Sequence, residues 1–297
     1  MGEKIVVAGG TGNLGQRIVK ALIQREAEVI VLSRTETDPQ KLKTLTDMDA
    51  KIVIVNMADP VDIANACADA SCVVSALAGL RDVIIGNQSA LLEGAIAAGV
   101  KRFIPSDFST DYRPLFPGEN RNFDLRREFY EKINGAPIQT THIFNGAFAE
   151  ILTYSIPVFD FKTKSVGYWE DSNWKMDFTA MDDAATFTSA VALDPSAPKV
   201  LHIASFQMSP KDLVEFSTKT YGQPFKLVCR GSLEELRSYN KEQRAAHPEG
   251  ENEIYPKWQQ SQYIQSMFST NHTPGDNDRY PDIKWKTLSD VIPSTSR

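Results

Sequence analysis

Cysteines, histidines and long apolar runs are all scarce in this 297-residue chain. The three cysteines, Cys67, Cys72 and Cys229, are odd in number and lack metal-ligand spacing, which points to reduced thiols rather than a disulfide framework or a metal module. No apolar stretch approaches the ~18–20 residues that cross a bilayer, so no membrane partner is expected. The opening MGEKIVVAGG loses its apolar run at the glycines, so a secretory leader is not expected either. Basic runs are missing too and the net charge is −6, which argues against nucleic acid as a direct partner. What remains is a soluble globular composition, 42% hydrophobic and 24% charged, with an expected cytoplasmic location.

What is present is alternation. Strands are predicted at 4–9, 28–33, 51–56, 71–77, 101–106 and 137–145, and helices over 13–26, 38–48, 59–70, about 83–98 and 122–135. Asp38-Pro39 and Asp59-Pro60 read as helix starts, and Gly99 and Gly135 as stops. Strands that are apolar throughout and separated by helices imply a parallel sheet covered on both faces, and right-handed crossovers then favour a doubly wound α/β sheet. Beyond residue 150 the rhythm breaks. Residues 168–180 suggest a hairpin or extended pair, a helix should start near Asp182, 199–205 could be a strand, and 209–222 and 232–246 read as helices. The tail from 248 is polar and aromatic. The expected organisation is a doubly wound domain over 1–150, to which about 176–205 is a candidate to return, and a smaller α+β domain over 151–297.

The stretch VVAGGTGNLGQRIV (6–19) sits where the first strand meets the first helix. In that context Gly9 permits a tight turn, Gly12 lets a backbone approach a pyrophosphate, and Gly15 lets the helix pack closely on the strand. The helix N-terminus then offers free N–H groups to the anion. The end of the second strand, where an adenosine ribose would lie, reads Ser33-Arg34-Thr35. A guanidinium there suits a 2′-phosphate, so NADP(H) is favoured, while nearby Glu36 keeps NAD(H) open.

With these pieces in place the chain resembles the NmrA-like and isoflavone-reductase-like family, a branch of the atypical short-chain dehydrogenases. GGTGNLG (9–15) is similar to its glycine loop and AAGVKRFIPSDF (97–108) to its AGVKRF-x-PS-[ED]-F segment. FNGAFAEIL (144–152) resembles its segment after the sixth strand, and LHIASFQMSPKDLVEF (201–216) a later strand–helix unit. The resemblance implies a Rossmann-like fold, with the cofactor lying across Thr11, Gly12, Asn13 and Leu14, Arg34, Ser75, Ala76 and Leu77, the Pro105–Phe108 corner with Ser106, and Asn145 to Phe148. The predicted strands end at these places, where open α/β sheets bind ligands. An adenine-binding Asp expected after the third strand is Asn56 here.

Hydride transfer to a carbonyl or polarised alkene leaves an anion that needs a proton, so a general acid is expected. The common short-chain dehydrogenases use Tyr-x-x-x-Lys. No tyrosine of the chain is expected to have a Lys four residues on, so that mechanism is not expected here. The resemblance implies instead a Lys in a Phe-x-x-Lys setting on the helix before the sixth strand. This chain has Phe123-Asp124-Leu125-Arg126. Arg126 could bind an anion but is a poor proton donor, and Lys132 lies on the far side of the helix. His142 on the sixth strand is the other catalytic candidate, its alternative being a structural histidine. Asp107, Phe148, Tyr168 and Trp169 are candidates to shape a substrate site, with core packing or turn roles as the alternative.

Two functions stay open. One is an NADPH-dependent reductase of a small aromatic or conjugated substrate. The other is a non-catalytic NAD(P) redox sensor acting through a partner protein, which the arginine at 126 favours. Oligomeric state and substrate identity are not readable from the residues.

Overall fold

The computed structural model describes residues 2–292. Its internal contacts divide the chain into two units. The first comprises the chain through Asp107, Leu125–Ile143 and Ala184–Leu201, and the second Phe108–Asp124, Phe144–Asp183 and the chain from His202 on. The boundary thus falls at several points rather than once near 150. The loop after residue 107 leaves the sheet because its aromatic Tyr112, fully buried, packs against Phe123 and Phe144 of the second unit.

The first unit is built on six parallel strands: β1 (Lys4–Ala8), β2 (Glu28–Ser33), β3 (Lys51–Ile54), β4 (Cys72–Ser75), β5 (Arg102–Ile104) and β6 (Gln139–Thr140). Their order, β3-β2-β1-β4-β5-β6, reverses between β1 and β4, the topological switch point of a doubly wound sheet. Helices α1 (Asn13–Gln24), α2 (Pro39–Thr46), α3 (Pro60–Ala66), α4 (Gln88–Ala97) and α5 (Arg121–Ile133) make the crossovers. Asp38 and Asp59 cap α2 and α3 by accepting from the N–H groups of Gln40 and Val61, and a proline occupies the first turn of each. The helix expected from about 83 opens with a π-helical turn at Asp82–Asn87. The buried thiols of Cys67 and Cys72 are pushed up to about 12 by desolvation, so both are inert.

The sixth strand is broken. After Thr141, whose N–H still donates to Phe103, the chain becomes β7 (His142–Phe144). It takes a different neighbour, β11 (Val200–His202), starting with the bond from His142 N–H to the Lys199 carbonyl at 2.8 Å.

The second unit holds β8 (Ala147–Phe148), β9 (Ser165–Tyr168), β10 (Met176–Thr179), β12 (Phe206–Met208) and β13 (Lys226–Cys229). The hairpin expected over 168–180 does not form: β9 pairs with β13, and β10 with β12 and β8. The connection between β9 and β10 is held elsewhere by its tryptophans. Trp174 donates to the Met267 carbonyl at 2.9 Å, and Trp169 packs edge-on against Phe268. Helix α6 (Met181–Leu193) starts one residue before Asp182 and belongs to the first unit from Ala184 on, while in the second unit α7 (Pro210–Tyr221) carries the Ser209–Asp212 capping box and ends at Gly222 in the left-handed region. Helices α8 (Leu233–Ala246), α9 (Lys257–Ser269) and α10 (Leu288–Val291) complete the unit. Among the described residues no helix is long and apolar enough to cross a membrane.

Candidate functional site

The β1–α1 loop shows why its glycines are required. Gly9 has φ +79°, and a Cβ there would meet the Ala76 carbonyl oxygen at 2.5 Å. A Cβ on Gly15 would lie 2.1 Å from the Gly9 carbonyl oxygen. The close packing of β4 and α1 on this turn therefore excludes any side chain at either position. Gly12 differs: a Cβ would meet only the Gly9 oxygen, at 3.3 Å. Packing barely forbids one, so its absence chiefly leaves the loop's main chain bare towards a ligand. Gly12 is also the N-cap of α1, with no side chain capping the helix and no acidic residue in its first turn. A helix end left with unsatisfied N–H groups and positive dipole is an anion site. Asn13 and Leu14 begin that turn. Asn13 accepts from Arg17 at 3.1 Å, and the Thr11 carbonyl accepts from Gln16 at 3.3 Å. Gly10, not singled out from sequence, faces Val31, whose Cγ1 would lie 2.7 Å from a Cβ there.

At the ends of β2 and β3 lies a cleft of about 420 Å³, lined by Arg34, Thr35, Glu36, Asn56, Asp62 and Asn87 among others. Arg34 is exposed there, while the buried Ser33 hydroxyl is spent on Thr37 at 2.8 Å. Asn56 turns its side-chain oxygen back to the Ala58 N–H, and Asp62 accepts from the Asn56 N–H at 2.7 Å.

The ends of β4 and β5 are tied together. Ser106 donates through its hydroxyl to the Leu77 carbonyl at 2.5 Å and takes the Gln88 side-chain oxygen on its N–H at 2.9 Å. The Ser75 hydroxyl is fully buried and has no protein partner, and Ala76 donates to the Ala8 carbonyl. The Pro105 carbonyl accepts from Asp107 N–H. From α5, Arg126 reaches this corner: its Nε donates to the carbonyls of Ser106 and Asp107, at 3.0 and 3.3 Å. His142 places Nδ1 2.7 Å from the Asp107 carboxylate, under the ring of Tyr130. Both side chains are at most 4% exposed, and His142 Nε2 is buried without a partner. A direct proton transfer from His142 to a substrate is not open in this geometry, and the Asp107 carboxylate faces the imidazole rather than a ligand.

In the second unit Asn145 is fully buried with an unpartnered side-chain oxygen. Phe148 is half-buried on β8 beside Thr179. Tyr168 is half-buried, paired in register with Cys229. Trp169 corrects the expectation of a cleft wall: at 7% exposure it belongs to the unit's apolar core, because Phe268 of α9 covers it. Sequence reasoning gave no weight to His202, which lies 2.9 Å from Asp111. No spacing rule links a strand end to a loop 91 residues away.

A model of the NmrA-like family matches residues 1–241. The chain belongs to the NmrA-like family. Pinoresinol reductase 2 of Arabidopsis thaliana is 28% identical over 98% of this chain and 97% of its own length. A solved structure of AtPrR2 with NADP+ and (+)pinoresinol has a TM-score of 0.77 at 26% identity, covering 98% of this chain and 97% of that one. A solved structure of isoflavone reductase, 20% identical, shares the fold with a TM-score of 0.79 over 99% of both chains. The Rossmann-like doubly wound sheet expected of this NmrA-like chain is thus present in it and in its structural relatives.

Two points of the NmrA-like chain's chemistry follow. A Tyr-x-x-x-Lys spacing does occur once, Tyr280 to Lys284, which corrects the expectation that the chain has none. It is not a helical pair: Tyr280 follows a single turn at Asn277–Arg279 and Pro281 stands next, so the rotation that would bring Tyr and Lys onto one face is missing. The glycine turn, the uncapped start of α1 and the orphaned Ser75 hydroxyl, by contrast, fit a bound dinucleotide.

Proposed function

We propose that this NmrA-like protein is an NADPH-dependent reductase of a small aromatic or conjugated substrate. The observation that carries the reading is the bare glycine turn at the uncapped end of α1, with Arg34 exposed on the cleft at the end of β2. The whole-length likeness to pinoresinol reductases supplies the substrate class. NADPH, when bound, supplies a hydride. The chain's own residues do the rest. The N–H groups of Asn13, Leu14 and Gly15 hold the pyrophosphate, and Arg34 pairs with the 2′-phosphate and sets NADP(H) above NAD(H). Gly9, Gly12, Thr11, Ser33, Ser75, Ala76, Leu77, Pro105, Ser106 and Asn145 shape the remaining cofactor contacts, and Phe148 and Tyr168 the substrate contacts. Arg126, fixed on the Ser106 and Asp107 carbonyls, stabilises negative charge that develops on substrate oxygen.

The test is NADPH oxidation followed at its absorbance band against (+)-pinoresinol, quinones, enones and phenolic alkenes. Turnover with at least one of them is expected; silence across the panel with tight NADPH binding would sink the reading for those classes. One observation favours a second reading: arginine, which stays charged, stands where the resemblance leads to a lysine. A redox sensor would capture a partner protein in proportion to the NADP+/NADPH ratio, and that capture would replace turnover.

A further inference from the structure

The helix that follows β4 does not begin as an α-helix. Its first turn, Asp82–Asn87, is π-helical, a form whose hydrogen bonds span five residues rather than four. Where α4 takes over, the Gln88 N–H donates to the carbonyls of Val83 and Ile85 and not to that of Ile84, four residues back. The Ile84 carbonyl accepts instead from Gln88's own side chain, whose Nε2 lies 3.2 Å away. A π-turn set into a helix is a frequent mark of a functional site. Here it joins two parts of the proposed cofactor site. Asn87, its last residue, lines the cleft on which Arg34 is exposed. Gln88, the next residue, is 1% exposed and reaches the end of β5.

At that end Gln88 Oε1 accepts the Ser106 N–H at 2.9 Å. Ser106 is itself buried, and each of its polar groups is engaged by a different element. Its N–H goes to Gln88 of α4, its hydroxyl to the Leu77 carbonyl beyond β4, and its carbonyl to Arg126 Nε of α5. All of these residues belong to the first unit. They stand at the C-terminal ends of parallel strands, where open α/β sheets bind their ligands. The amide of Gln88 is matched atom by atom to its surroundings. Its oxygen meets a donor, the Ser106 N–H, and its nitrogen meets an acceptor, the Ile84 carbonyl. An apolar side chain of the same length fills the space but supplies neither bond. A buried N–H that loses its acceptor bears the full cost of its desolvation.

We propose that Gln88 is a positioning residue of the cofactor site, holding the ends of β4 and β5 in the arrangement that NADP(H) requires. This rests on the cofactor binding of the reductase reading. Gln88 acts through Ser106. Without the amide, the Ser106 N–H and the Ile84 carbonyl must find other partners, and the corner opens to let them. Leu77 and Ser106, both proposed cofactor contacts, then shift, and so does the carbonyl on which Arg126 is anchored. A neutral carboxylic acid reproduces the glutamine amide, because its C=O accepts and its O–H donates. An ionised carboxylate only accepts, and it sets a negative charge against the Ile84 carbonyl. The same substitution therefore restores the clamp when protonated and breaks it when ionised. The charged groups at this corner are Arg126, on the Ser106 carbonyl, and Asp107, whose carboxylate is turned to His142.

The experiment measures NADP+ binding by calorimetry for the wild type, Gln88→Met and Gln88→Glu at about pH 5 and about pH 8.5, on either side of the range in which a buried carboxyl titrates. Each variant is compared with the wild type at the same pH, so that titration of the nucleotide phosphate cancels. Methionine matches glutamine in length and suits a helix, which leaves the lost hydrogen bonds as the main change. Gln88→Met is expected to bind NADP+ about tenfold more weakly at both pH values. Gln88→Glu is expected to bind like the wild type at the acid pH, where burial keeps its carboxyl protonated, and at least as weakly as Gln88→Met at the alkaline pH. A purely structural role would lower the melting temperature and leave the affinity of the folded protein unchanged. A Gln88→Met that binds NADP+ as the wild type does therefore overturns the assignment and leaves the reductase reading standing. A Gln88→Glu as weak at the acid pH as Gln88→Met overturns it too, since the hydrogen bonds would then not be what the site needs. A wild type that binds no NADP+ removes the cofactor reading and this role together. Should Gln88→Met fold poorly, the two pH values decide with Gln88→Glu alone: the same affinity relative to the wild type at both overturns the proposal.

Discussion

In the proposed reading a single side chain, Arg34, carries the choice of cofactor. It is exposed on the cleft at the end of β2, and among the residues lining that cleft Glu36 and Asp62 are its acidic neighbours. Reversing its charge sets a carboxylate against a 2′-phosphate. Arg34→Glu is expected to weaken NADPH at least tenfold and NADH little, read as dissociation constants by fluorescence titration; equal affinities for both in the variant and the wild type would show that Arg34 does not touch the phosphate. Gly9 is the complementary case, where the requirement is steric. With φ +79° and the Ala76 oxygen 2.5 Å from any added Cβ, Gly9→Ala should cost about 1–3 kcal/mol or more, measured by urea unfolding. These residues were legible because a glycine's absence of side chain and an arginine's charge act locally. Arg126 was legible only as a departure. That its Nε would anchor on the Ser106 and Asp107 carbonyls depends on where α5 lies against the end of β5, which no short spacing encodes.

At the scale of elements, those that follow one apolar rhythm could be read, and those whose buried face is polar could not. The strands β1 to β5 are mainly apolar, and α2 and α3 start at Asp-Pro pairs, so their existence follows from the residues. Helix α9 escaped because amides interrupt the apolar side of its buried face, which also holds Trp258, Ile264, Met267 and Phe268: Gln259 donates to Asn120 at 2.8 Å, Gln262 accepts from Arg121 N–H, and Gln265 accepts from Asn240. A glutamine satisfied in this way is buried as firmly as a leucine but leaves no hydrophobic period. The segment 271–277 is held by polar contacts too. His272 N–H donates to Asp177 at 3.0 Å, its carbonyl accepts from Gln207 at 2.9 Å, and Asn277 donates to the Ala204 carbonyl at 2.7 Å. Desolvation lowers the His272 imidazole below its ordinary value of about 6.5. The unfolded chain then binds the proton first, so stability present above about pH 6.5 is lost as the pH falls toward the folded value. Burial alone would raise Asp111, but its bonds to Arg113 and His202 hold it well below the usual carboxylate range, so its contribution is lost only at lower pH, below about 4. Protection of the 271–277 amides, each exchange rate taken relative to its intrinsic rate at the same pH, should therefore fall between pH 7.5 and 5.5, and His272→Gln should flatten that dependence. Uniform protection across this range would mean that the segment is not held by a neutral His272.

At the scale of the whole molecule, binding of a cofactor and use of that cofactor are separable properties, and the chain's two unusual features fall on different sides of that line. In the proposed reading the glycine turn and Arg34 concern binding, and Arg126 concerns use. The fold and the binding half of the site were legible because a strand, a turn and a helix N-terminus adjacent in sequence make them. The proposed chemical half draws on groups apart in the chain, such as Arg126 and the Ser106 and Asp107 carbonyls, and only the tertiary fold brings these together. Binding can be tested without any substrate. A ligand that binds only the folded chain stabilises it by about 2.7 kcal/mol at a concentration 100 times its dissociation constant. For a chain of this size that corresponds to about 5–10 °C in melting temperature. NADP+ should therefore raise the melting temperature by that amount and NAD+ by much less at the same concentration. Arg34→Glu, with NADP+ bound at least tenfold more weakly, should cut the NADP+ shift to about half or less. A wild type with equal shifts from both nucleotides would remove the preference assigned to Arg34.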